Sequence, residues 1–190
     1  MNEVGRKSVH MFFGTMFILS AIFMGGEFTF IVTVACLTGG LIVSDMIKQG
    51  MSFPFFSLAV ELFERDYEKH WPGKGAIMFF AGASIMMYLA LHILNSPNII
   101  ALALVPLVFG DGFATIIGVN YGKHKIVKGK SLEGTLAGFV ASALVLSLFL
   151  FPAWFKILIV AGGAMLAELL PIDDNLTIPI TSGLILYIMI

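Results

Sequence analysis

Acidic and basic residues are scarce in this chain and fall in short strings. Arg6-Lys7-x-x-His10 comes first. Gly110-Asp111-Gly112 sits inside a long apolar run. Lys130-Ser131-Leu132-Glu133-Gly134 follows a basic stretch holding Lys123, His124, Lys125 and Lys128. Glu168 and then Asp173-Asp174-Asn175 complete the set, and Asp45 stands alone. Carboxylates hold hard divalent cations such as Mg²⁺, while lysine and arginine neutralise phosphate oxygens. These residue types therefore suit phosphate chemistry assisted by a divalent cation. Other chemistries find less support. No His/Cys/Asp group has zinc-ligand spacing, and Gly73-Lys74-Gly75 lacks the spacing of a Walker A loop. No Ser/His/Asp arrangement stands out. The single cysteine, Cys36, excludes a disulfide framework and reads as a small apolar filler.

The elements that must position these strings are membrane helices. Of 190 residues, 58% are hydrophobic and only 12% are charged, and the mean hydropathy is +0.97. An average soluble domain carries about 25% charged residues. The composition excludes an ordinary soluble domain, a disordered chain and a nucleic-acid binder with a basic face. It predicts an all-α, polytopic bundle forming one domain over residues 1–190. A crossing needs about 20 mostly apolar residues. Seven spans are predicted, at residues 9–24, 28–47, 75–94, 98–121, 134–151, 154–170 and 176–190. With an odd count, the basic residues before span one, between spans two and three, and between spans four and five all share one side. Only Lys156 falls opposite. The positive-inside rule places that shared side, and the N-terminus, in the cytoplasm.

Two connections carry further expectations. Residues 52–71 place Phe56, Phe63, Tyr67 and Trp71 at helical spacing among charges, which predicts an amphipathic helix in the interface. It either anchors the protein or caps an entrance for a lipid alcohol. Residues 119–133 form a cytoplasmic motif loop. Alone, its lysines could merely set topology; between Asp111 and Glu133 they suit a polyphosphate.

Asp111 is the most informative single residue. From Asn98 to Asp111 a helix climbs about 21 Å, short of a hydrocarbon core of about 30 Å. The span must therefore continue past an aspartate that costs about 2.5–3.5 kcal/mol to insert. Either the flanking glycines open the backbone and expose N–H groups to an anion, or they form a packing kink whose Asp reaches the interface. His10 lies one turn from Lys7 and faces the same side; such a histidine serves an interface as readily as a site.

The string Gly110-Asp111-Gly112-Phe113-Ala114, then Gly118, Tyr121-Gly122-Lys123-His124-Lys125 and Lys130-Ser131-Leu132-Glu133-Gly134, resembles the polyprenol kinase family, which groups dolichol kinases, phytol kinases and a CTP-dependent diacylglycerol kinase. Arg6-Lys7-x-x-His10 and Asp173-Asp174-Asn175 followed by Pro179 look like its other signatures. The resemblance implies a multi-pass kinase, in the cell membrane if the source is prokaryotic, with its active site facing the cytoplasm. It implies transfer from CTP, with Mg²⁺, to the terminal hydroxyl of a membrane isoprenoid alcohol of dolichol or polyprenol type. On this reading Asp111 binds the metal or activates the hydroxyl. Glu133, Asp173 and Asp174 are further metal candidates. Arg6 and Lys7 hold phosphates, and Lys123 and Lys130 add charge. Gly110, Gly112 and Gly118 permit close backbone approach, and Ser131 and Gly134 belong to the nucleotide loop. His10, Asp45, Glu168 and Asn175 are further candidates. The central motif is shared with phosphatidate cytidylyltransferases, so synthesis of a CDP-lipid is an alternative. A small transporter with a broken helix is another.

Overall fold

The computed structural model describes residues 3–51, 53, 70–127 and 129–189, and these form seven helices with no extended strand. They are α1 (Glu3–Phe23), α2 (Gly26–Lys48), α3 (Lys74–Ile93), α4 (Ile99–Tyr121), α5 (Leu132–Leu150), α6 (Trp154–Ala167) and α7 (Asp174–Ile188). Each agrees closely with a span expected from the apolar runs. The interfacial helix expected at 52–71 falls, apart from Phe53, His70 and Trp71, outside the described residues. The motif loop is shorter than expected. Residues 119–121 still belong to α4, and residues 122–131 form the loop, pinched by one antiparallel bridge between Lys125 and Ser131.

The breaks follow local chemistry. Gly25 turns between α1 and α2 with φ 89, a region that costs a side-chain-bearing residue but not glycine. Ser131 caps α5 by accepting from the Gly134 N–H at 3.2 Å, and Asp173 caps α7 by accepting from the Asn175 N–H at 3.0 Å. Each cap satisfies a donor that the first turn of a helix leaves open.

Four helices, α2 to α5, are long and apolar enough to cross a membrane. α1 has 21 residues but opens with Glu3, Arg6 and Lys7. α6 and α7 have 14 and 15 residues, about 21 and 22 Å, short of a hydrocarbon core. Large apolar side chains cover the outer surface, among them Phe12, Phe23, Ile31, Leu148, Phe155 and Ile188. So much exposed apolar area would drive a protein in water to associate; against lipid it is ordinary. The chain is a helical membrane protein.

α4 is the most buried of the four long helices. Leu104, Val105, Leu107 and Val108 are fully enclosed, with Met86 and Met87 of α3, Leu146 of α5 and Ile178 of α7 in the same core. Small residues let the helices approach, as lipid-embedded helices require. A Cβ on Gly138 of α5 would lie 2.7 Å from the Gly110 carbonyl oxygen of α4. One on Gly82 of α3 would overlap the Asn175 carbonyl oxygen and lie 3.1 Å from Leu176 Cα, both backbone atoms of α7. Backbone cannot rotate away as a side chain can. Gly82→Ala is therefore expected to push α7 off α3 and to destabilise the fold by about 1–3 kcal/mol. A lowered melting midpoint in detergent, with loss of a monodisperse peak, would show it; an unchanged midpoint would refute the packing argument.

α4 also corrects the expectation for Asp111. The glycines beside it do not open the helix. Residues Pro106–Gly110 form one π-helical turn, and the Asp111 N–H donates to the Pro106 carbonyl five residues back. Proline lacks the N–H an α-turn needs and crowds the preceding carbonyl, and the wider turn accommodates it. The extra residue rotates everything after it by about 100°. Gly110 and Gly112 face neighbours: a Cβ on Gly110 would overlap Ser142 Oγ, and one on Gly112 would lie 2.6 Å from Met11 Sδ.

Candidate active site

The charged strings converge at one end of the bundle. α1 brings Lys7 from its second turn, and α4 brings Asp111 from the residue after the π turn. The residue before the α5 cap brings Lys130. Glu168 follows the last turn of α6, and Asp174 opens α7. The order of the helices makes this possible: α6 ends where α7 begins, so their shortness sets the floor of the site. α4 continues about 15 Å past Asp111 to Tyr121, and the loop 122–131 returns over it. The site is therefore recessed below the end of α4.

Lys7 and Asp111 form a buried ion pair between Nζ and Oδ2. Lys130 Nζ lies 2.6 Å from Glu168 Oε1, 2.7 Å from Asp174 Oδ2 and 3.6 Å from Asp111 Oδ1. Asp111 is 1% exposed and Glu168 0%. One oxygen from each of Asp111, Glu168 and Asp174 lies within 4.8 Å of the others. Burial works against the Lys130 charge, yet Asp111, Glu168 and Asp174 outweigh it and hold the ammonium above the ordinary lysine value. Two acceptors stay unused, since Asp111 Oδ1 and Glu168 Oε2 are buried and accept no hydrogen bond among the described residues. Three convergent carboxylates with spare buried oxygens form a donor set suited to a hard divalent cation.

A cavity of about 260 Å³ runs along α4 from this cluster toward the loop. Ala114, Thr115 and Gly118 form one wall, Ser131 and Thr135 the other, with Glu168 and Lys130 inside and Lys125 at the rim. Thr115 and Thr135 did not stand out in the sequence. The signal was spacing: Thr115 lies four residues after Asp111 and Thr135 four after Ser131, each on the same helical face. Thr135 Oγ1 is buried with no hydrogen-bond partner among the described residues.

The other candidates are placed elsewhere. Glu133, expected beside Asp111, turns to the loop: it accepts from the backbone N–H groups of Lys123 and His124 at 3.1 and 3.2 Å and lies 2.6 Å from His124 Nδ1. The Lys123 side chain is exposed. Asp173 is the α7 cap, and also accepts from the Asn175 side chain at 2.9 Å. Arg6 pairs with Glu3 at 2.8 Å. His10 stacks edge-on against Phe79, with Nε2 buried and making no hydrogen bond among the described residues. Asp45 is exposed at the end of α2 and accepts from Gln49 at 2.6 Å. Gly134 packs on α4, where its Cβ would lie 3.0 Å from Gly118 Cα.

No family model matches the chain, and no solved structure matches it. Characterised and uncharacterised sequences do. The chain is 30% identical over 185 residues to an uncharacterised protein of Methanocaldococcus jannaschii, covering 94% of this chain and 90% of that one. It is 30% identical over 202 residues to probable phytol kinase 2 of Oryza sativa subsp. japonica and 29% identical over 202 residues to farnesol kinase of Arabidopsis thaliana. These matches cover 96% and 94% of this chain but 65% and 63% of the plant proteins, so the chain spans under two thirds of their length. The chain belongs to the polyprenol and isoprenoid alcohol kinase family.

Proposed function

We propose that this chain transfers the terminal phosphoryl group of a nucleoside triphosphate, CTP, to the terminal hydroxyl of an isoprenoid alcohol in the membrane. The observation that carries this reading is the recessed cluster of Asp111, Glu168, Asp174 and Lys130 at the foot of a cavity, in a bundle with an apolar surface. The lipid tail stays in the bilayer while its hydroxyl reaches the polar level, where a soluble nucleotide enters from the loop. All seven helices cross or enter the membrane, with the N-terminus, the loop 122–131 and the site on the cytoplasmic side of a cell membrane.

Catalysis on this reading is positioning and charge neutralisation. Asp111, Glu168 and Asp174 would hold Mg²⁺, which would supply positive charge to offset that of the phosphates. Lys130 and Lys125 line the path of the polyphosphate along α4. Lys7 pairs with Asp111 and orients it, and Thr115, Ser131 and Thr135 offer hydroxyls to phosphate or nucleotide. The alcohol is of dolichol or polyprenol type; phytol and farnesol, named for the relatives, belong in the same test.

The purified chain in detergent with Mg²⁺, terminally labelled CTP, ATP or GTP and a panel of isoprenoid alcohols is expected to place label in a lipid monophosphate, with CTP the best donor. If no nucleotide labels any alcohol while phosphatidate with CTP releases pyrophosphate, the protein makes a CDP-lipid instead.

A further inference from the structure

We propose that the Lys130 ammonium is a built-in competitor for the divalent cation. It occupies the carboxylate cluster in the resting protein, and when a cation binds there it is expelled into the cavity to receive phosphate. This rests on the reading of Asp111, Glu168 and Asp174 as cation ligands.

Occupancy is the first argument. Lys130 Nζ is within 4.0 Å of an oxygen on each of the three acids, at 2.6, 2.7 and 3.6 Å. Those acids are the three whose oxygens lie within 4.8 Å of one another. A divalent cation bound at about 2.1 Å from each ligand would stand where the ammonium stands, so the two exclude each other.

Charge is the second. Three carboxylates with Lys7 and Lys130 sum to −1. Exchanging Lys130 for a divalent cation makes the cluster neutral. In a recess closed by apolar helices the neutral arrangement is favoured. The lysines also fail to complete the cluster, because among the described residues Asp111 Oδ1 and Glu168 Oε2 accept no hydrogen bond with both of them in place. A permanent structural ion pair would be expected to use those acceptors.

The third argument is that the exit is already built. The Lys130 side chain is 21% exposed and lines the cavity. Its backbone is held independently of its ammonium, through Lys130 N–H to Val127 O at 3.0 Å and Ile126 N–H to Lys130 O at 2.9 Å. Rotation of the side chain alone moves the charge from the acids to the space above Gly118. Cation binding would thus create the positive charge a polyphosphate needs, coupling the two ligands.

The test uses the full chain in detergent without nucleotide, with Mn²⁺ as the probe and free Mn²⁺ read by electron paramagnetic resonance. Lys130→Gln is expected to bind Mn²⁺ about tenfold more tightly than the wild type, the effect of removing one charged hydrogen-bonding competitor. Lys130→Arg, which keeps the charge, stays weak. Equal affinity in the wild type and Lys130→Gln, with binding lost on adding Glu168→Gln, overturns the competitor but leaves the cation site standing. Mn²⁺ binding that ignores Glu168→Gln, or no binding in either protein, overturns both. A measurement on the wild type guards against a misfolded variant. Mg²⁺ is expected to speed acetylation of Lys130, followed by peptide mass spectrometry, several-fold; an unchanged or slower rate refutes expulsion.

Discussion

Asp111→Asn is expected to lower kcat for phosphoryl transfer by about 10³-fold or more, the scale of losing one preorganised electrostatic contact to a transferring group. The protein should remain folded. Asparagine keeps an oxygen that accepts from Lys7, and Lys130 keeps Glu168 at 2.6 Å and Asp174 at 2.7 Å. What disappears is the charge at the one carboxylate shared by both lysines. The proposed cation site loses a ligand from the most buried of the four long helices, and Lys130 loses one of three attractions. The loss should fall on kcat and on the Mg²⁺ concentration needed for half-maximal rate. The KM for the alcohol should change little, because its tail is bound by lipid and apolar helices. Steady-state rates across a Mg²⁺ titration, beside a detergent melt, separate the two. Activity within about tenfold of the wild type would reduce Asp111 to a packing residue and remove the basis of the site.

The sequence made the helices legible because apolar runs, Gly25, Pro97, Pro152 and the Asp173 cap mark their ends chemically. The ends of the seven described helices lie within six residues of the apolar runs. The π turn of α4 was not legible. Glycines on both sides of an acid read as an opened backbone or a packing kink, whereas an added residue keeps the helix continuous and only rotates it. That rotation decides which face Asp111 shares, so the composition of the site was harder to read than its location. Glu133 stands three residues from Lys130, yet the two straddle the Ser131 cap and part company: Lys130 points into the bundle and Glu133 back to the loop. Asp173 and Asp174 divide in the same way, one capping α7 and one facing Lys130. Glu168, lacking any local motif, joins the cluster only because α6 ends beside α4. Residue type and spacing indicated the end of the bundle and the chemistry. Tertiary packing chose which carboxylates meet.

Lys7→Met is expected to destabilise the protein by about 3–5 kcal/mol, the cost of leaving one member of a buried ion pair alone. Asp111 would remain 1% exposed, with only the longer 3.6 Å attraction of Lys130. Lys130 cannot move closer without leaving Glu168 and Asp174. The double variant Lys7→Met/Asp111→Asn is expected to recover most of this loss, since a neutral amide and a thioether no longer bury an uncompensated charge. Its phosphoryl transfer should stay as low as that of Asp111→Asn. Unfolding of the wild type, both single variants and the double variant in one detergent completes the cycle. The coupling between the two sites should be a few kcal/mol, at the upper end of direct contacts. Recovery of stability without recovery of turnover would separate the two tasks of this pair. A neutral pair can hold α1 against α4, but only a charged Asp111 can hold a cation together with Glu168 and Asp174. A Lys7→Met protein as stable as the wild type would instead place the lysine ammonium in solvent, outside the bundle, and with it the proposal that α1 orients the catalytic carboxylate.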